Sequence, residues 1–174
     1  DHISDDMLLR FKMQEKFCPQ FHLSLQSGCD RTLKAMNRKY DTAFYRDLVL
    51  RIRKIFPDSA ITTDIMVGFA GETEQDFKES LAFAEEIGFA KAHIFCYSRR
   101  EGTFAFNMPN QVAKAEKHRR SLMLAETCKK SEEKFLSSLI GQPQEVLFET
   151  EENGYFEGYT KNYSRVRVMS TENL

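Results

Sequence analysis

The stretch "AITTDIMVGFAGETEQDF" (60–77) decides the fold. It opens as an apolar, strand-like run, Ala60 to Val67, and ends in a helix start. Thr73 has the character of an N-cap, with Asp76 three residues on. Phe77, Leu81 and Ala84 then give the helix its buried stripe, and Gly88 its natural stop. Between strand and helix lie Gly68, Gly71 and the carboxylate Glu72. A joint with so few side chains invites close approach by something else, and the question is what comes near it.

Outward from this unit the same rhythm recurs. "FHLSLQSG" (21–28) alternates strictly, with Phe21, Leu23 and Leu25 on one side and His22, Ser24 and Gln26 on the other, which predicts a strand. From Asp30 the pattern turns helical, with Phe44, Leu48, Ile52 and Ile55 on one face until Pro57. "KAHIFCYS" (91–98) is a third strand, followed by the polar loop "RREGT". Ser4 before Asp5 and Asp6 marks an earlier helix start, with Met7, Leu8 and Phe11 on one face. Strand, helix, strand, helix, strand implies parallel pairing with right-handed crossovers, hence a piece of an α/β sheet or barrel.

After the turn-rich "NMPNQ" (107–111) one long helix is predicted from about 112 to 140, ended by Gly141 and Pro143. The tail then changes character. "QEVLFE", "YFEGYT" and "YSRVRVM" are short alternating runs, and Asn153-Gly154 between the first two is a strong hairpin signal. The predicted organisation is an α/β unit over 1–140 and a small β module over 141–174, which the polar "STENL" leaves unfinished.

Composition narrows the class. The 174 residues are 41% hydrophobic and 29% charged, ordinary for a globular protein, and the formal net charge of -1 gives no overall pull toward nucleic acid or membrane. No apolar run approaches the roughly 20 residues that span a bilayer. Cys18, Cys29, Cys96 and Cys128 are scattered singly, without a CxxC pair, which reads as reduced structural thiols and a cytoplasmic setting.

Three polar joints, "QSGCD", "VGFAGET" and "YSRREGT", each follow one of the predicted parallel strands. Ligands in parallel α/β folds bind beyond the carboxyl ends of the strands, so the three joints share one address.

Here a resemblance becomes specific. "HLSLQSGCDRTLKAMNRKY", "TDIMVGFAGETEQDF" and "IFCYSRREGTFA" resemble the second half of the radical S-adenosylmethionine methylthiotransferases, over nearly the whole chain. The resemblance implies three parallel strands of a partial (β/α) radical-SAM barrel, followed by a truncated OB-like TRAM barrel that holds tRNA. It implies transfer of a methylthio group to C2 of a modified adenosine in the anticodon stem-loop. Cys29 and "MPNQV" are most similar to the branch acting on N6-threonylcarbamoyladenosine; the alternatives are isopentenyladenosine or a ribosomal protein as substrate. The family's cofactors are S-adenosyl-L-methionine and two 4Fe–4S clusters, one on a CxxxCxxC loop. Neither cysteine set occurs here, so the expectation is an inactive piece with no cofactor or metal bound and no catalytic residue of its own, whose open strand edge favours self-association. A non-catalytic RNA-binding or scaffold module on the same half-barrel is the competing reading, and an unrelated phosphate-binding α/β enzyme a weaker one.

Carried over by position, Gln26 and Ser27 would face the ribose or amino-acid end of the cofactor. Val67 and Gly68 would line it by backbone contact, and an inward Asp64 would hydrogen-bond cofactor or substrate. Tyr97 and Arg99 end the third strand, Arg99 offering a fork for a carboxylate or phosphate. Glu72 is expected to cap the Thr73 helix. For RNA, the basic run opening the long helix offers Lys114, Lys117, Arg119 and Arg120, and the tail offers Tyr159, Tyr163, Arg165 and Arg167. His22, His93 and His118 have no ligand spacing and receive no role.

Overall fold

A computed structural model describes residues 3–170; 171–174, most of "STENL", lie outside the described residues. Strands β1 (Gln20–His22), β2 (Ala60–Val67) and β3 (Lys91–Cys96) form a parallel sheet in the order β1-β2-β3. Helices α1 (Asp5–Lys12), α2 (Asp30–Ala35), α3 (Thr42–Ile55), α4 (Glu74–Ile87) and α5 (Lys114–Leu139) accompany it. Strands β4 (Val146–Glu152), β5 (Tyr155–Thr160) and β6 (Arg165–Met169) make a separate antiparallel sheet.

The parallel sheet is covered on one face. Ile61, Thr63, Ile65 and Val67 of β2 are buried, whereas Thr62, Asp64 and Met66 are not. The buried set packs with Tyr45, Leu48 and Ile52 of α3, Phe77 and Phe83 of α4, and Leu124 of α5 in one core. Registered partners share a face, so Lys91, His93 and Phe95 of β3 join Thr62, Asp64 and Met66 on the open side.

β1 ends sooner than its alternation predicts, although Phe21 and Leu25 are buried and His22 and Ser24 exposed as expected. Between the His22–Thr62 and Gln26–Ile65 pairs the first strand carries one residue more than the second. The extra residue is a bulge. There the Leu25 N–H donates to Thr63 Oγ1 (2.9 Å), and that hydroxyl donates to Leu23 O (2.7 Å). Gln26 rejoins the ladder in the left-handed region, at φ 67.

The helical segment after Asp30 is two helices, because Asn37 at φ 58 turns the chain between them. On α3 the buried stripe runs through Tyr45, Leu48, Val49 and Ile52; the expected Phe44 lies one residue out of phase and is exposed. The phase is set by Tyr45, whose hydroxyl donates to Leu23 O (2.7 Å) and whose ring meets Phe83 and Phe89 edge-on.

α4 begins with a full capping box between Thr73 and Asp76, and Gly88 stops it at φ 63. On α5, Arg120, Leu124, Cys128 and Ser131 recur along the buried face. Among the described residues no helix is long and apolar enough to cross a membrane.

Past α5 the chain turns at Gly141 (φ 80) into β4. Asn153 and Gly154, both at positive φ, close the predicted hairpin. At Gly158 an added Cβ would lie 1.9 Å from Leu147 O, so only glycine admits β4 there. The tail is three antiparallel strands among the described residues, not a closed barrel. Asn162 ties it to the α/β unit: its Nδ2 donates to Asp58 O (3.3 Å), while its Oδ1 accepts from Thr160 and Ser164.

Candidate functional site

At the carboxyl ends of the three parallel strands lies a groove of about 590 Å³. Gln26, Met66 and Tyr97 bring one residue from each strand end, and Phe69, the turn after α2 and the 103–105 loop complete it. Phe69 and Tyr97 meet edge to face at 5.0 Å. Tyr97 is 8% exposed, and its hydroxyl is buried without a hydrogen-bond partner. An orphaned hydroxyl on an aromatic wall suits a ligand that is both flat and polar. Behind Tyr97, Lys117 donates Nζ to the Tyr97 carbonyl (2.7 Å) and lies 4.9 Å from the ring centroid.

The glycine joint is filled by protein. Gly68 stands at φ 72, its N–H donates to Glu72 Oε1 (2.9 Å), and a Cβ there would come 2.4 Å from Lys117 Cγ. Glu72 also accepts from Arg120 Nη1 (2.7 Å), and the two side chains are 2% and 5% exposed. Burial pushes the Glu72 carboxyl up, opposed by Arg120 and the Gly68 N–H. The expected Glu72 cap is therefore a buried brace, because Thr73 and Asp76 already cap α4. Val67 points into the core, and its carbonyl accepts from Tyr97 N (2.9 Å), so the expected backbone approach to a cofactor is taken by β3 and α5 instead.

Ser27 does not face the groove either. It is buried, and Oγ accepts from the Cys29 N–H (3.3 Å). Cys29 lies under α4, its Sγ 3.4 Å from Asp76 Oδ1 and 3.2 Å from Glu79 Oε2, and burial pushes its pKa up to about 11. Arg31 forks onto Asp76 and holds that carboxyl well below its usual range. Cys29, Asp76 and Glu79 are close enough to share a metal ion, but Asp76 is already engaged by Arg31 and Thr73.

Asp64 faces the open side of the sheet. Its Oδ2 lies 3.3 Å from both His22 Nε2 and Ser24 Oγ, and His22 Nδ1 lies 3.1 Å from Thr62 Oγ1. His22, given no role from spacing, thus joins a polar network with Asp64. The alternation that set His22 and Ser24 together on a polar face was its signal in the sequence.

The expected cations are mostly engaged within the chain. Arg99 closes its fork on Phe106 O (3.1 and 2.6 Å) and covers the Phe106 ring, because the 104–107 turn folds back beneath it. Arg119 pairs with Glu116 and Glu74, and Arg120 with Glu72 and Glu116, since α5 lies against the start of α4. Lys117 is turned to Tyr97. Lys114 remains exposed, with no ion pair among the described residues.

In the tail, Arg165 and Arg167 both pair with Glu157, while Tyr159 and Tyr163 stack at 4.6 Å with Tyr163 66% exposed. These tyrosines and Arg165 border a second groove of about 570 Å³, toward Gln20, Lys91 and His93 at the amino ends of the parallel strands.

A three-stranded parallel sheet with its groove beyond the strand ends has known counterparts. The family model described as "Radical SAM superfamily" matches residues 2–84. Coproporphyrinogen III oxidase from Escherichia coli, described as a radical SAM enzyme, superposes on 79% of this chain and 30% of its own, with a TM-score of 0.53 at 19% identity, a likeness of fold. Two relatives carry the name tRNA-2-methylthio-N(6)-dimethylallyladenosine synthase. That of Clostridium perfringens (strain 13 / Type A) is 41% identical over 99% of this chain. That of Thermoanaerobacter pseudethanolicus is 44% identical over 84% of it. The chain spans 39% and 31% of these relatives' lengths. These matches support the radical-SAM methylthiotransferase family for this chain.

Proposed function

We propose that the chain forms the C-terminal part of the catalytic barrel of a tRNA methylthiotransferase, with 1–140 as barrel and 141–174 as part of an RNA-binding TRAM module. The observation that carries this reading is the orphaned Tyr97 hydroxyl in an aromatic groove at the strand ends. The lining suits S-adenosylmethionine: Met66, Phe69 and Tyr97 give the groove an apolar, aromatic wall, Gln26 a polar group, and a bound cofactor would supply the partner that the buried Tyr97 hydroxyl lacks. With an iron–sulfur cluster it would supply the radical. Among the described residues no three thiols come together, and in this reading the cluster is held by another part of the full-length enzyme.

For the substrate, the relatives' names favour N6-dimethylallyladenosine (isopentenyladenosine) over the threonylcarbamoyl derivative. The residue that pointed the other way, Cys29, is buried under α4 and lines no wall of the groove, so it does not read the substrate by contact. The outer strands β1 and β3 both carry no further strand among the described residues and are the edges for any self-association of the parallel sheet.

The test is restoration of the modification. Transfer RNA from a strain lacking the full-length gene, complemented and analysed by mass spectrometry, should regain the methylthio mass on the dimethylallyl nucleoside. A gain on the threonylcarbamoyl nucleoside would reassign the branch, and no gain would sink the reading.

The groove has its own test. Tyr97→Phe in the full-length enzyme should weaken S-adenosylmethionine roughly 5- to 10-fold in calorimetry, the worth of one hydrogen bond. Without ligand, the variant should melt no lower than the parent, because it removes a buried unpaired hydroxyl. Unchanged affinity would place the cofactor elsewhere.

A further inference from the structure

We propose that Lys34 and Arg38 form an oxyanion-binding rim on the groove and hold a backbone phosphate of the RNA beside the cofactor. This rests on the tRNA reading above. Both residues line the groove, and both are exposed without an ion-pair partner among the described residues. Their neighbours differ. Arg31 is locked on Asp76, Arg46 on Glu86, and Lys39 donates to Asn37 Oδ1.

The turn that carries the pair is held firmly. α2 stops at Ala35, Arg38 N donates to Leu33 O (2.9 Å), and Asn37 takes the left-handed conformation. Tyr40 then fastens the segment to the strand end, its hydroxyl lying 2.9 Å from Ser24 O and 3.1 Å from Leu25 O. Two unpaired cations are thus presented next to the apolar walls of Met66, Phe69 and Tyr97.

Apolar faces beside positive charge suit a nucleotide, flat on one side and anionic on the other. S-adenosylmethionine is a poor match for the charge. Its sulfonium and ammonium outweigh its carboxylate, so two cations on the rim repel it on balance. A phosphodiester has the opposite sign. The run expected to meet RNA, at the start of α5, has both arginines already paired with carboxylates. There, among the described residues, only Lys114 stands exposed and unpaired, whereas the groove carries two such cations on one turn.

The experiment titrates an anticodon stem-loop RNA against the cluster-loaded full-length enzyme at several salt concentrations, with S-adenosylmethionine affinity measured in parallel. Lys34→Ala/Arg38→Ala should flatten the slope of log Kd against log salt by about 0.7, the share of one single-strand phosphate contact. Its Kd at low salt should rise about tenfold or more, while S-adenosylmethionine binds at least as tightly as before. The single variants should each lose about half the slope change, and Lys34→Arg/Arg38→Lys should keep the parent slope. A parent-like slope in the double variant overturns the assignment. So does loss of cofactor binding with the RNA slope intact, which would give the pair to the cofactor carboxylate. Failure of the parent enzyme to bind the stem-loop at all would sink the tRNA reading itself, and this inference with it.

Discussion

Replacing Arg120 with Met should lower the unfolding free energy by about 3–5 kcal/mol, the cost of stranding a buried charge. Met keeps an aliphatic stem near the Phe77 ring, which the guanidinium now overlies at 5.5 Å. It leaves the Glu72 carboxylate buried with the Gly68 N–H as its remaining partner. The double variant Glu72→Gln/Arg120→Met should recover more than half of the loss. A neutral amide oxygen can still accept from Gly68, and uncharged replacements of a buried pair are often close to neutral in stability. Arg119→Met is the control, since Arg119 is half-exposed and its pairs with Glu116 and Glu74 are worth no more than about 1 kcal/mol. Urea melts of the three variants decide the matter. If Arg120→Met costs no more than Arg119→Met, the brace between α4 and α5 is not what holds the joint.

That brace also marks where the sequence stops being legible. β2, the Thr73–Asp76 box and the Asn153-Gly154 hairpin are read correctly because each obeys a rule spanning a few residues. Arg120 and Glu72 lie 48 positions apart, and nothing local says that carboxylates before and inside α4 neutralise a basic run on α5. The helical period of α3 places its stripe only to within one residue. The phase was settled by the Tyr45 hydroxyl on Leu23 O, a contact 22 positions away. Likewise the alternation of β1 gave its faces but not its bulge, which depends on the Thr63 hydroxyl 38 positions from Leu25.

The site divides in the same way. That three joints share the carboxyl edge follows from topology, and the groove is there. Which side chains point into it depends on packing. Gln26 and Tyr97 do, while Ser27 and Val67 are drawn into the core and Arg99 is captured by Phe106 O. Lys34 and Arg38 belonged to the most specific stretch of the resemblance, yet composition gave no reason to single them out from other cations. Their lack of partners appears only in three dimensions.

Gly68→Val should destabilise the protein by roughly 2–4 kcal/mol, combining the cost of a β-branched residue in the left-handed region with overpacking. The glycine has φ 72, and its missing Cβ leaves room for the Lys117 stem. A free lysine would swing aside cheaply. This one is held at both ends, by its helix and by the bond from Nζ to Tyr97 O. Pairing Gly68→Ala with Lys117→Ala separates the two costs. In the parent background the alanine meets both strain and clash; without the lysine it should meet only strain, about 1–2 kcal/mol. A coupling of about 1 kcal/mol or more between the two sites is therefore expected from melting curves. Cofactor affinity should fall with Gly68→Ala as well, because displacing Lys117 loosens the carbonyl that anchors Tyr97 at the groove wall. A cofactor lying directly on Gly68 would give a different pattern: stability kept, binding lost, and additivity with Lys117→Ala. That pattern would mean the glycine admits the ligand; the coupled one means that it admits α5, whose lysine in turn sets the wall the ligand meets.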